Sequence, residues 1–368
     1  MKTRVTRLVI LLAIALVAIG PAHAAPSTQL EFLGQQIFPT ATQFRGTTFG
    51  GLSSITYDAR RNLFYALSDD QVNARFYTLR IGVGGGAPAV QIVAVTTLRD
   101  ADGQPFAPAS LDPEGLTLTD DRTLVVTSEG FANRLIDPWV REFDLSGHQL
   151  RALFVPPAFL PNAAGTHGVR LNLGFESAAV TPSANFLFVG AEAAVVQDGP
   201  PATVGAGSPA RIIRYDIQGS GLVPRRVVDR QFVYWTDPIA EPPVPANQFA
   251  VNGLVELHPL DDDSLISMER SFSVGAPDTG NTIKLYDVSL AGADDVNGFD
   301  SIALLLGSID AVQKSLLLDL DELGIPLDNV EGMTFGPNLP DGRRSLILVS
   351  DNNFSPAAFT QFLLFAAS

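Results

Sequence analysis

The fold is decided by the stretch DPEGLTLTDDRTLVVTSEG, residues 112–130. Apolar and polar residues alternate on both sides of the turn Asp120-Asp121-Arg122, which is the pattern of a two-stranded hairpin. One carboxylate, Glu114, stands where the first strand starts, and another, Glu129, stands where the second strand ends. Because both ends of a hairpin lie on the same side, the pattern predicts that these two carboxylates are neighbours.

The same pattern returns along the whole chain. Each copy is followed by further runs of alternating residues, so one copy predicts about four strands. Repeats of this length that cover the entire sequence predict one closed array and not several domains. Hairpins arranged in a ring would direct their polar ends at one shared place. The five copies align at Gly51, Gly115, Ser177, Gly253 and Gly332.

The last copy has too few strands. It ends with the apolar run Thr360 to Phe365, whereas the segment Leu30 to Phe38 belongs to no repeat. If this N-terminal segment completes the last sheet, the ring closes and hides its edges. The sequence therefore predicts an all-β β-propeller of about five four-stranded blades. A sixth blade within residues 270–330 stays open, and the best candidate for a helix is Asp310 to Leu323.

The N-terminus has the pattern of a signal peptide. A basic start is followed by the apolar run Leu8 to Ile19 and by the small-residue site Ala22-His23-Ala24. We expect residues 1–24 to be removed after Ala24 and residues 25–368 to be secreted or periplasmic. The chain has no cysteine, so it needs no disulfide in an oxidising compartment.

The composition is acidic. The chain has 24 basic and 39 acidic residues, a net charge of −15, and removal of the signal segment leaves 21 against 39, or −18. This balance argues against nucleic acid or an anionic membrane as a partner. It suits a cation-binding protein, and equally a monomer that is acidic for the sake of solubility.

The repeated hairpin ends carry the candidate site. Several carboxylates near one axis cannot all stay ionised without compensation, because like charges repel strongly where the dielectric constant is low. A hard cation such as Ca²⁺, which takes about 6–8 oxygen ligands, is one solution, and a structural network with arginines such as Arg270 is the other. The candidate metal ligands are Asp69, Glu114, Glu129, Glu176, Glu192, Glu269, Glu331 and Asp351, and the neutral oxygens are Asn252 and Asn352.

Other catalytic constellations are missing from the sequence. No G-x-S-x-G motif occurs, which argues against a standard serine hydrolase. The three histidines beyond the predicted signal peptide, His148, His167 and His258, lack the spacing of a zinc site.

The repeated motifs resemble those of secreted phytase-like proteins, the family called esterase-like activity of phytase. The resemblance spans about residues 46 to 365. It rests on Gly50-Gly51-Leu52-Ser53-Ser54, Asp112-Pro113-Glu114-Gly115, Thr127-Ser128-Glu129-Gly130, Asn172-Leu173-Gly174-Phe175-Glu176, Met268-Glu269-Arg270-Ser271-Phe272, Asn329-Val330-Glu331-Gly332 and Val349-Ser350-Asp351-Asn352-Asn353-Phe354.

The resemblance implies a propeller that hydrolyses a phosphoester or a carboxylic ester. By analogy with calcium-dependent propeller phytases, Ca²⁺ held by the carboxylates would activate a water, and no protein nucleophile would be needed. The implied substrate-binding residues are Arg211, Arg270, Asn252 and Asn352. The chain departs from a phytate site because Lys284 and Lys314 are its only lysines beyond the signal segment.

Two classes of function remain open at this point. One is a metal-dependent hydrolase of a small ester, phosphoester or lactone. The other is a non-enzymatic propeller that binds a ligand or a protein through one face. The hydrolase needs a cation with an open coordination position, whereas the binding propeller needs neither cation nor reaction.

Overall fold

The computed structural model describes residues 28–218 and 226–368. The predicted signal peptide and its cleavage site after Ala24 lie outside these residues. In the described part of the chain, no helix has the length and the apolar character needed to cross a bilayer.

The described residues form five four-stranded antiparallel sheets, the blades of a β-propeller. Alternating β-branched and aromatic residues build these strands, and most of the connections between them contain Gly, Pro, Asp or Asn. This confirms the all-β propeller. Blade 1 comprises β4 (Leu52–Asp58), β5 (Leu63–Ser68), β6 (Arg75–Gly82) and β7 (Ala89–Thr97); blade 2 comprises β8 (Pro113–Leu118), β9 (Leu124–Ser128), β10 (Trp139–Phe143) and β11 (Gln149–Ala152); blade 3 comprises β12 (Phe175–Val180), β13 (Phe186–Ala191), β14 (Pro209–Asp216) and β15 (Val227–Trp235).

The last two blades have longer inner strands. A short hairpin lies between the N-terminal strand and blade 1, and brief 3₁₀ turns connect strands elsewhere. Blade 4 comprises β16 (Ala250–Pro259), β17 (Ser264–Ser273), β18 (Asn281–Ser289) and β19 (Gln313–Asp319); blade 5 comprises β20 (Asn329–Asn338), β21 (Arg344–Asp351), β22 (Phe359–Ala367) and β1 (Leu30–Pro39); the hairpin is β2 (Gln43–Phe44) with β3 (Thr47–Thr48); the 3₁₀ turns are Ala132–Arg134, Pro157–Phe159 and Leu320–Leu323.

The N-terminal strand closes the ring, as predicted. Strand β1 pairs antiparallel with β22, from Leu30 opposite Ala367 to Pro39 opposite Phe359. Between blades 5 and 1, the ring of Phe49 lies 6.4 Å from that of Phe362 and 5.0 Å from that of Tyr77. The two termini are therefore joined by backbone pairing and by a shared aromatic core.

Two sequence-based alternatives prove wrong. Asp310 to Leu323 does not form a helix, because Gln313–Asp319 pairs with β18 as the outer strand of blade 4 and only Leu320–Leu323 forms a 3₁₀ turn. Pairing with a neighbouring strand overrides the weak helical pattern. No sixth blade forms within the described residues. The long connection before β19 packs Val296 and Ile302 against Val233 of blade 3 instead.

Candidate functional site

One backbone hydrogen bond recurs in blades 1, 2 and 3 and fixes the position of the candidate site. The N–H at the end of the second strand donates to the carbonyl at the start of the first strand of the same blade. Asp69 donates to Gly51 (2.8 Å), Glu129 to Asp112 (3.0 Å) and Glu192 to Gly174 (2.7 Å). The alternating pattern of the hairpin therefore delivers these acidic residues to one end of the central channel.

A cavity of about 710 Å³ opens at this end of the channel. Among the described residues, seven of the eight predicted carboxylates line it, together with Arg270. Three further polar residues, which the sequence did not predict as ligands, also line the cavity: Asp112, Asp328 and Asn329. The seven are Asp69, Glu114, Glu129, Glu176, Glu192, Glu331 and Asp351.

The carboxylates approach one another most closely in two overlapping groups. Oxygens of Asp112, Glu114 and Glu129 lie within 4.8 Å of one another, and so do those of Glu129, Glu176 and Glu192. Glu129 belongs to both groups. Asp112 could have been found from the sequence, because the spacing in Asp-Pro-Glu puts residues 112 and 114 on the same face of an extended segment.

Glu129 is held in place from the neighbouring blade. Its Oε1 accepts a hydrogen bond of 2.5 Å from the backbone N–H of Gly174, at the start of blade 3. A Cβ on Gly174 would lie 3.0 Å from the Cα of Glu129, so a side chain there would crowd this contact. The shared carboxylate is thus a rigid point between two blades.

Arg270 compensates part of the negative charge. Its Nη2 donates to Glu331 Oε1 (2.9 Å) and lies 3.5 Å from Glu192 Oε1. In the described part of the chain, no ion pair is found for Asp69, Glu114, Glu129, Glu176 or Asp351. Ion pairs with an arginine therefore compensate only two of the seven carboxylates, and a cavity remains.

Burial changes the acidity of the cavity. It raises the pKa of Asp69, Glu114 and Glu176 well above the ordinary range of carboxyls, and neighbouring carboxylates add to the effect. Burial likewise raises the pKa of Asp112 to about 7 and that of Glu192 to about 8. These shifts favour the neutral forms of the carboxyls, whereas a bound cation would favour their charged forms.

The donor set fits a hard cation. Carboxylate and amide oxygens are the ligands that Ca²⁺ and Mg²⁺ prefer. Among the residues described, Asp69 Oδ1 is buried and accepts no hydrogen bond, and Glu192 Oε1 is buried with only the 3.5 Å ion pair to Arg270. An unsatisfied buried oxygen costs free energy, and a bound cation would remove that cost.

Glu269 and Asn252 lie outside the cavity, contrary to the prediction. Strand β17 continues to Ser273, so Glu269 lies within the strand, and the alternation of faces turns Arg270 to the cavity instead. Glu269 forms an ion pair with Lys314 and accepts a hydrogen bond from Tyr234 of blade 3. Asn252 donates to Glu269 Oε2 (2.9 Å) and belongs to the same interface between blades.

Arg211 and Asn352 also lie away from the cavity, so the structure does not place them against a substrate there. Arg211 is fully buried and pairs with Asp198 at 2.6 Å, beside the long connection of blade 4. Asn352 accepts hydrogen bonds from the N–H groups of Gly51 and Phe354, each 3.0 Å. These contacts serve the fold: one anchors loops, and the other joins blade 5 to blade 1.

Comparison with known proteins identifies a family. Residues 47–354 match the family described as Phytase-like, Esterase-like activity of phytase. No curated protein matches the chain. Similar solved structures include an endo-arabinase from Bacteroides thetaiotaomicron, with 11% identity, 92% of this chain and 97% of that chain covered, and a TM-score of 0.41. A luciferin-regenerating enzyme has 10% identity, 90% and 95% coverage, and a TM-score of 0.39.

Proposed function

The chain belongs to the phytase-like family, esterase-like activity of phytase, and from this premise we propose that it is a cation-dependent hydrolase of an ester or phosphoester. The observation that carries the proposal is the pair of carboxylate groups that share Glu129 at the wall of a large cavity. A hard divalent cation, with Ca²⁺ as the first candidate, would be held by Glu129 with members of these two groups.

The carboxylates and Arg270 have different roles in the proposed reaction. The carboxylates would hold the cation and would lose their protons on binding it, since only the ionised form is a good ligand. Arg270 is the one cationic side chain found among the described lining residues, and its buried Nε has no hydrogen-bond partner. In this proposal it orients the anionic or polarised oxygen of an ester. The cation, when bound, supplies a Lewis acid and activates a water molecule.

The first experiment measures cation binding without relying on turnover. Purified protein is titrated with Ca²⁺ by calorimetry, and its thermal unfolding is followed with Ca²⁺ and with chelator. A ligand that binds only the native state at 100 times its Kd adds about 2.7 kcal/mol to the free energy of unfolding. We expect a corresponding rise in Tm, together with hydrolysis of an ester or phosphoester that chelator abolishes.

A matched pair of variants locates the cation. Glu129→Gln removes charge from both carboxylate groups, and we expect Ca²⁺ affinity to fall on the order of 100-fold. Glu256→Gln is the control, because Glu256 is buried in the same channel but does not line the cavity. Unchanged unfolding in chelator and no turnover on esters and phosphoesters would contradict the proposal and leave a non-enzymatic, ligand- or protein-binding propeller.

Export and a monomeric state complete the proposal. We propose that the predicted signal peptide is cleaved after Ala24 and that the protein is secreted or periplasmic and monomeric. N-terminal sequencing of the mature protein and light scattering test these two points. A mature protein that starts far from Ala25, or that remains in the cytoplasm, would contradict export.

A further inference from the structure

One wall of the cavity is apolar. Phe249, Val251 and Phe272 line it on the side of blade 4. Val251 and Phe272 are directly paired across β16 and β17, and the rings of Phe249 and Phe272 are 6.2 Å apart. We call these three residues the apolar ledge. Phe249 is 62% exposed, so the ledge includes a large apolar surface that is open to a ligand.

The ledge is built on a fixed backbone. The carbonyl of Phe249 accepts a hydrogen bond of 3.0 Å from the N–H of Val274. Val251 and Phe272 lie within paired strands of one blade. A preformed apolar surface costs little conformational entropy when a ligand binds to it.

The ledge and the cationic group lie side by side. Arg270 and Phe272 are two residues apart on β17, so their side chains leave the same face of the strand about 6.6 Å apart. Both line the cavity. A ligand could place a polar or anionic group at the guanidinium and an adjoining apolar group on the two phenylalanine rings.

The charge of the cavity limits how many anionic groups the ligand can carry. Within the described residues, Arg270 is the single cationic side chain of the lining, and it already pairs with Glu331 and Glu192. Lys314 pairs with Asp237 and Glu269, outside the cavity. A ligand with many phosphates would meet an excess of carboxylates, and like charges repel strongly at a poorly solvated site.

We propose that the substrate is an amphiphilic ester: one phosphate or carboxylic ester group next to one alkyl or aryl group, with the apolar group bound on the ledge. This inference rests on the proposed hydrolase function and specifies its substrate class. Phe249 and Phe272 determine the specificity, and polyphosphorylated polyols are excluded.

Binding of non-hydrolysable probes tests the substrate class. A series of alkyl phosphonates from methyl to octyl is titrated calorimetrically, with Ca²⁺ and with chelator. Burial of each added methylene on the ledge should tighten binding about three- to fourfold until the ledge is covered. Inositol hexakisphosphate, under the same conditions, should bind more weakly than hexylphosphonate.

Two variants with matched exposure assign the effect to the ledge. Phe249→Ala should flatten the dependence of Kd on chain length while methylphosphonate binding stays close to that of the wild type. Phe154→Ala is the control, because Phe154 is 63% exposed and does not line the cavity. It should keep the full dependence on chain length.

The outcomes separate this inference from the function on which it rests. The substrate class is overturned if Ca²⁺-dependent binding has the same Kd for every chain length, or if inositol hexakisphosphate binds more tightly than hexylphosphonate. A cation-dependent site would then remain. An unchanged dependence of Kd on chain length in Phe249→Ala also overturns the substrate class. If the dependence of Kd on chain length is lost in Phe249→Ala and yet is the same with Ca²⁺ and with chelator, that result supports the ledge and contradicts a role of the cation in binding. Absence of binding by every phosphonate overturns the substrate class alone, because the Ca²⁺ titration and the unfolding in chelator test the cation separately.

Discussion

Gly253 on the first strand of blade 4 approaches Glu192 of blade 3 so closely that a Cβ at residue 253 would lie 2.2 Å from Glu192 Cγ. The carbonyl of Glu192 accepts a hydrogen bond of 3.0 Å from Leu254 N–H, the next residue of that strand. The glycine at residue 253 therefore has a steric cause. First strands crowd together around the channel, and Gly253 leaves room for the carboxylate of Glu192 from the preceding blade.

Gly253→Ala should displace Glu192 and damage the site together with the fold. Overpacking of a buried position costs about 1–3 kcal/mol, and the displaced carboxylate should bind Ca²⁺ at least about tenfold more weakly. Urea denaturation and calorimetry measure the two effects. Gly307→Ala is the control, because a Cβ on Gly307 meets nothing within 4 Å. Equal effects of the two substitutions would contradict the steric argument.

Without a cation, the stability of the protein should fall as the pH rises. Burial raises the pKa of Glu192 from 4.5 to about 8 and that of Asp351 from 3.8 to about 8. A carboxyl with a raised pKa in the folded state favours folding below its unfolded pKa, and this contribution is lost as the pH rises through its folded value. One pKa unit corresponds to about 1.4 kcal/mol.

We therefore expect the free energy of unfolding in chelator to decrease by several kcal/mol between about pH 5 and about pH 9. Urea denaturation at a series of pH values measures it. Saturating Ca²⁺ should reduce the decrease, because the cation stabilises the ionised carboxylates. A stability in chelator that stays constant across this range would contradict the assigned environment of the cavity.

Glu269→Gln should lower the stability of the protein and leave its affinity for Ca²⁺ unchanged. Glu269 pairs with Lys314 and accepts a hydrogen bond of 2.7 Å from Asp237 N–H, away from the cavity. Removing one partner of a buried ion pair is strongly destabilising, and we expect a loss of about 2–3 kcal/mol because Lys314 retains Asp237. Calorimetry should give the wild-type Kd for Ca²⁺. A loss of Ca²⁺ binding at wild-type stability would instead make Glu269 a ligand.

Removal of Leu30–Pro39 should prevent soluble folding. Strand β22 would then expose a full row of unpaired backbone groups, which is a template for aggregation. Soluble yield after expression measures the effect. A synthetic peptide of residues 28–41, added during refolding, should pair with β22 and restore soluble protein. A truncated protein that is soluble, monomeric and cooperatively folded without the peptide would contradict closure by this strand.

Sequence alone predicted the features that depend on the alternation of apolar and polar residues along each strand and on the repeat of that pattern. Alternation of apolar and polar residues indicates strands and turns, and the repeat indicates a closed ring. Leu30 to Phe38 could be assigned as the closing strand because the last repeat lacked one. The position of Glu114, Glu129 and Glu192 at hairpin ends followed from the same pattern, since the two ends of a hairpin are always on one side.

Tertiary structure decided which side chains meet. Glu269 aligns with Glu129 in sequence, but β17 runs on to Ser273, and the alternation of faces then exchanges Glu269 for Arg270 at the cavity. Asp112 joins the carboxylates because blade 2 holds it within 4.8 Å of Glu114 and Glu129. Local period determines the face on which a residue lies, whereas strand length and the packing of neighbouring blades determine the distances between side chains. The pattern within a single repeat gives the faces, as the spacing in Asp-Pro-Glu does for Asp112, but it does not give these distances.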